Sequence, residues 1–125
     1  MLAALLCNLE QRGPILREQR LNTLKGVEDA ASKIEQLLYP VPAKTKAKIK
    51  RAVEKAYEYA ELPTIDMSLL SEASQTTQAA IKDVESLLLD LNEPEWLIEM
   101  RVILSQLIMI QLTLNDDEEA LLLLM

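Results

Sequence analysis

Apolar side chains recur along this chain at alternating steps of three and four, the repeat that gathers them on one stripe of an α-helix. Leu24, Val27, Ala31, Ile34 and Leu38 form the first such stripe. Pro14, after Gly13, suits the start of that helix because its missing N–H would be unpaired there in any case. Pro40 and Pro42 forbid continuation past Tyr39, so the spacing predicts a helix over 14–39. A second helix is expected over 42–61, with Ile49, Val53, Ala56 and Ala60 in line, Tyr57 beside them and Pro63 as the breaker.

The third stripe is the longest. Leu70, Ala73, Thr77, Ala80, Val84, Leu87 and Leu91 keep the alternation through three heptads, and Leu69, Ile81 and Leu88 widen it into a bundle face. Asp66 is a good N-cap, with Ile65 and Leu70 spaced as a hydrophobic staple, so the helix is placed over 66–91. Thr77 is the one polar residue in the seam, and its hydroxyl is expected to bond back to its own helix.

Asn92 and Glu95 are spaced as a capping box, with Leu91 and Trp96 as a second staple, opening a helix over 93–114. The two- or three-residue join before it makes the third and fourth helices antiparallel neighbours. This fourth helix is apolar nearly all round, and its continuous polar line is narrow: Glu95, Glu99, Gln106 and Thr113. Such a helix belongs at the centre of a bundle or between subunits. The alternative is a strand over 108–114, with Gln111 and Thr113 on the opposite face.

Two sticky ends flank the four helices. Residues 1–13 open on an apolar run that contains Leu2, Leu5 and Leu6. Residues 115–125 combine an acidic stretch, Asn115 to Glu119, with Ala120, Leu121, Leu122, Leu123, Leu124 and Met125. The acids suit either the first turn of a short C-terminal helix or a solvated loop. An apolar terminus left uncovered invites aggregation. The expected architecture is therefore one all-α domain over 1–125: an antiparallel bundle of about four main helices, an apolar N-terminal extension and a short C-terminal helix.

Composition sharpens the class and removes chemistry. The 125 residues include two glycines, four aromatics and no phenylalanine, too few turn residues for a sandwich or barrel. There is no histidine, which removes Ser-His-Asp and Cys-His catalysis and every His-ligated metal site. The single cysteine, Cys7, makes no internal disulfide and reads as a small apolar side chain. Two glycines supply neither a P-loop nor a dinucleotide fingerprint. No catalytic residue, cofactor or metal is therefore expected. The apolar opening lacks the basic flank of a signal peptide. Glu99, Arg101, Gln106 and Gln111 interrupt the fourth helix too often for a membrane span. A cytoplasmic protein, or part of a particle assembled there, is the expectation.

Charge is segregated within a net of −7. Residues 42–61 carry six basic side chains against three acidic ones, whereas residues 62–125 carry twelve acidic against two basic. Lys44, Lys46, Lys48, Lys50 and Arg51 form a basic patch in the first half of the second helix, against the preference of the helix dipole. A nucleic-acid site is one reading of that patch, weakened by the acidic whole and by the lack of interleaved aromatics. A charge contact, within the protomer or between protomers, is the preferred one.

These features point to a non-enzymatic structural or assembly protein acting through protein–protein contacts, such as a subunit of a viral particle or another multiprotein scaffold. The contact residues expected are Leu2, Leu5, Leu6, Leu121, Leu122 and Leu124, with a protein partner or a second copy as the occupant. The alternative is a small regulatory adaptor or inhibitor that presents a helical groove to its partner. Nucleic-acid binding through 42–61 ranks third and carboxylate or Ser-Lys catalysis last.

Overall fold

The computed structural model describes residues 2–38, 41–90 and 94–124, with side chains described within 18–38, 41–89 and 98–123. Four helices account for nearly all of it: α1 (Leu2–Leu37), α2 (Ala43–Ala60), α3 (Met67–Asp90) and α4 (Pro94–Leu124). Among the described residues there is no strand, so the strand reading of 108–114 gives way to helix. The reason is continuity, since Met100, Ile103, Leu107, Ile110 and Leu114 are buried at helical spacing through that stretch.

Each helix packs on its chain neighbours, and α4 closes the ring by packing on α1. Contact order shows the directions. Arg20 and Thr23 meet Asp117, and Gly26 lies against Thr113, so positions rise along α1 as they fall along α4. Lys48 meets Asp83 and Lys55 meets Glu72, which runs α2 against α3 in the same opposed sense. The core lies between the four, filled by Val27, Ile34, Ile49, Ala56, Ala73, Val84, Ile103 and Leu107 among others. Burying a side chain of the size of Ile or Leu contributes roughly 1.5–3 kcal/mol, so this seam supplies most of the driving force.

Local signals act as the sequence suggests at α3. The Asp66 carboxylate accepts the backbone N–H groups of Ser68 and Leu69 at 3.0 and 3.1 Å, an N-cap that satisfies two otherwise orphaned donors. Thr77 donates its hydroxyl to the Ala73 carbonyl at 2.8 Å, which lets a polar residue sit fully buried in the seam. Leu69, Ile81 and Leu88 are half-buried against the core, as a widened stripe requires. The capping box and staple at 91–96 lie outside the described residues.

Four expectations change. The first stripe is Arg20, Thr23, Val27, Ala30, Ile34 and Leu38, with Leu24 and Ala31 only half-buried beside it. On α2 the buried line takes in Ala52 and Tyr59, while Val53 and Tyr57 lie half-buried at its edge. The acidic turn and separate short helix expected at 115–125 do not form, because α4 is unbroken through Leu124. Asn115, Asp116, Glu118 and Glu119 stay exposed on that helix while Asp117 turns inward. α1 runs from Leu2 through the helix start expected at Pro14, and the side chains of the expected extension 1–13 are not described.

Gly26 has room for a side chain. A Cβ placed there meets Thr113 Oγ1 at 3.6 Å, an ordinary contact, and glycine inside a helix costs backbone entropy. Gly26→Ala is expected to stabilise the fold by about 0.5–1 kcal/mol, read as a rise of about 2–4 °C in the thermal midpoint.

Candidate functional site

Two features stand out from the ordinary bundle: a closed polar cluster inside it and an apolar face outside it. The cluster is built where the lower part of α1 meets the end of α2 and the last third of α4. Asp117 is fully buried, an unusual position for a carboxylate. Its Oδ2 accepts from Arg20 Nη1 at 2.6 Å and from the Tyr59 hydroxyl at 2.5 Å. Its Oδ1 accepts from Gln19 Nε2 at 2.8 Å and lies 2.8 Å from Thr23 Oγ1. The same Thr23 hydroxyl is 2.9 Å from the Gln19 carbonyl, so its single proton is shared between two acceptors.

Arg20 is as fully engaged as its partner. Nη2 donates to the Tyr59 carbonyl at 2.7 Å and to the Leu62 carbonyl at 3.1 Å, and Nε reaches Leu62 at 3.3 Å. The guanidinium also stacks over the Tyr59 ring, 4.5 Å from its centroid. It therefore caps the C-terminal end of α2, where the exposed carbonyls concentrate negative charge. One cation and one anion, each hydrogen-bonded on several sides, meet the conditions under which a buried pair is tolerated. The cluster ties α1, α2 and α4 at one level and fixes their register. With both charges out of solvent and their bonding capacity largely used, its chemistry is that of a lock.

The Tyr59 phenol titrates well above its ordinary value. Burial is the main cause, and its hydrogen bond to the Asp117 carboxylate adds to it, while Arg20 opposes.

The second feature is the solvent side of α4. Ile98, Val102, Met109 and Leu112 are exposed there, with Ser105 completing steps of four, three, four and three. Ile108 lies beside this line, and Leu122 and Leu123 continue the apolar character towards the end. The narrow polar line of α4 lies elsewhere: Glu99, Gln106 and Thr113 are half-buried, and Thr113 faces Gly26 of α1. Polar side chains thus flank a helix–helix joint while apolar ones meet solvent.

A third and smaller feature is a groove of about 370 Å³ between α1 and α2. Ala31, Ile34, Leu38, Val53 and Tyr57 form its apolar surface, and Glu35, Lys50 and Glu54 its rim.

The residues proposed from sequence divide among these features. Leu122 is exposed and Leu121 half-buried on α4. Leu2, Leu5, Leu6 and Leu124 lie outside the residues whose side chains are described. Within the basic patch, Lys48 pairs with Asp83 of α3 at 3.1 Å, and this contact holds the Asp83 carboxyl below its usual range. Lys50 lines the α1–α2 groove, Lys46 is half-buried, and Lys44 and Arg51 are exposed. The segregated charges of α2 and α3 therefore meet in part within one protomer. Sequence reasoning missed Arg20, Tyr59 and Asp117 as a group. The available signal was Arg20 and Thr23 extending the stripe of α1 backwards at the same three-four spacing.

No protein-family model, curated protein or solved structure matches the chain at a significant level. Among the described residues, no helix is long and apolar enough to cross a membrane.

Two outcomes follow from the lock. Asp117→Ala is expected to cost about 3–5 kcal/mol, since it strands the buried Arg20 cation, and the Arg20→Met/Asp117→Leu pair should lose much less than the two single changes together. Denaturant melts of the unaltered chain, Asp117→Ala, Arg20→Met, Asp117→Leu and the double variant check both statements. The folded state also keeps the Tyr59 proton that the unfolded chain releases, so this contribution is fully present below pH about 10 and is lost as pH rises above it. The urea midpoint should fall as pH rises from about 10 towards about 12, and fall less steeply in Tyr59→Phe.

Proposed function

We propose that this chain is a non-enzymatic assembly protein that works through protein–protein contact, as a subunit of a viral particle or another multiprotein scaffold does. One observation carries the reading: the solvent face of α4 presents Ile98, Val102, Met109 and Leu112 at the spacing of a second helical seam. Scattered exposed leucines need no explanation, but a second seam on a helix already buried along its opposite side is the pattern of a contact between helices. Further along α4, Leu122 and Leu123 add exposed apolar surface. A cytoplasmic site of action, or a particle assembled there, belongs to this proposal.

The α1–α2 groove favours a second reading, a small regulatory adaptor that receives a partner helix or peptide. Its apolar floor and charged rim suit such an occupant. Nucleic-acid binding through α2 ranks lower, because Lys48 is engaged with Asp83 and the net charge of −7 opposes a phosphate backbone.

Absolute molar mass by light scattering tests the proposal on three proteins: the full chain, Leu112→Lys, and a chain ending at Glu119. The expected result is an assembly of more than one protomer in the first, reduced in both others at unchanged helical content. Leu112 is exposed, so its replacement should alter stability by no more than about 0.5 kcal/mol. A single protomer in all three, equally helical, removes self-assembly and leaves the adaptor reading.

A further inference from the structure

We propose that the outer face of α4 binds a second copy of this chain, the two α4 helices running antiparallel about a two-fold axis level with Leu107. The inference rests on the reading of that face as a contact surface and names its occupant.

Arg101 is exposed towards the N-terminal end of the face, and Asp116 and Glu119 are exposed towards its C-terminal end. Between them lies the apolar line of Val102, Met109 and Leu112. Two such faces laid parallel would set cation against cation and carboxylate against carboxylate, which is destabilising. Laid antiparallel, each copy brings Arg101 alongside Asp116 of the other, and the favourable contact occurs twice by symmetry. The face is complementary to itself in one orientation only.

Side-chain size agrees with that orientation. With the axis level with Leu107, Ser105 of one copy opposes Met109 of the other, and Val102 opposes Leu112. A small residue facing a long flexible one fills space evenly, and Met accommodates an irregular gap. Steps of four and three between these positions are those of a two-helix seam, in which knobs from one helix enter spaces on the other. The opposite side of α4 is already committed to the core through Ile103, Leu107 and Ile110, so pairing adds a layer without rearranging the bundle. The Asp117 lock holds the acidic end of the face in register with α1 and α2 and so presents Asp116 on the outside.

Cysteine cross-linking with light scattering tests the geometry on the full chain carrying Cys7→Ser. At a rise of about 1.5 Å per residue, two copies of position 98 lie roughly 27 Å apart in the antiparallel pair, while position 105 of one copy and position 109 of the other are neighbours. A disulfide needs Cα atoms within about 7 Å. A mixture of Ser105→Cys and Met109→Cys chains is therefore expected to give a covalent dimer on mild oxidation and Ile98→Cys to remain uncross-linked. In parallel, Arg101→Glu and Asp116→Arg should each weaken dimerisation by about tenfold or more, and the double exchange should restore it. Cross-linking at position 98 overturns the antiparallel arrangement. A dimer broken by Met109→Lys but not restored by the double exchange overturns it too, and leaves the contact reading of α4 standing. A dimer untouched by Met109→Lys overturns both. Monomer mass at every concentration, with all variants helical, overturns the second copy as occupant and confines the contact reading to a different protein.

Discussion

A carboxylate sealed inside a helical bundle sets the terms for everything around it. Asp117 has no access to water, so its charge is tolerable only if protein groups replace the hydration shell. Arg20, Tyr59, Gln19 and Thr23 do so from two other helices. The demand is geometric, because each donor must reach the same two oxygens. A slip of α4 by one residue along α1 would turn Asp117 out of the cluster and strand Arg20. Hydrophobic stripes alone tolerate such slips more readily, since one leucine resembles the next. The lock therefore supplies the register that the apolar core leaves loosely specified.

That register has a consequence at the surface. Fixing the rotation of α4 points Met100, Ile103, Leu107 and Ile110 inward, and the same rotation fixes what points outward. The outward set contains Ile98, Val102, Met109 and Leu112, with Arg101 and Asp116 at its ends. A helix apolar on both sides is destabilising to expose and stabilising to pair, which is why contact with another chain is the function proposed. The ion pairs on α2 act at a lower level. Lys48 with Asp83 and Lys55 with Glu72 bridge α2 to α3 at the solvent boundary, where screening keeps such pairs worth little.

Much of the fold was legible in the residue pattern. The breaks before Pro42 and at Pro63, the Asp66 cap and the Thr77 back-bond are local effects, decided within a few residues of the chain. The seam of α3 was read almost entirely, because alanine, valine and leucine at strict spacing admit one helical face. On α1 the stripe was read one position off at Ala31, since Arg20 and Thr23 look like surface residues when hydropathy is the guide. Tyr59 was passed over for Tyr57 for a similar reason: both fit an α2 face, and which one is central depends on the neighbour. The acidic run was the largest departure. Five polar residues in succession read as a turn, yet only one of them faces the core, and a helix accommodates the other four on its outer surface.

The sequence by itself determined the all-helical class and the chemistry removed by the absence of histidine and the scarcity of glycine. Those properties depend on composition and on spacing along one chain. The tertiary structure decided the buried partners of Asp117, the continuity of α4 through the acidic run and the side of α4 left to solvent. Each of these depends on which residues of distant segments arrive at the same point. A buried charge is stable only where its counter-charge is also buried, and Arg20 and Asp117, far apart in the chain, are brought together only when α1 and α4 pack.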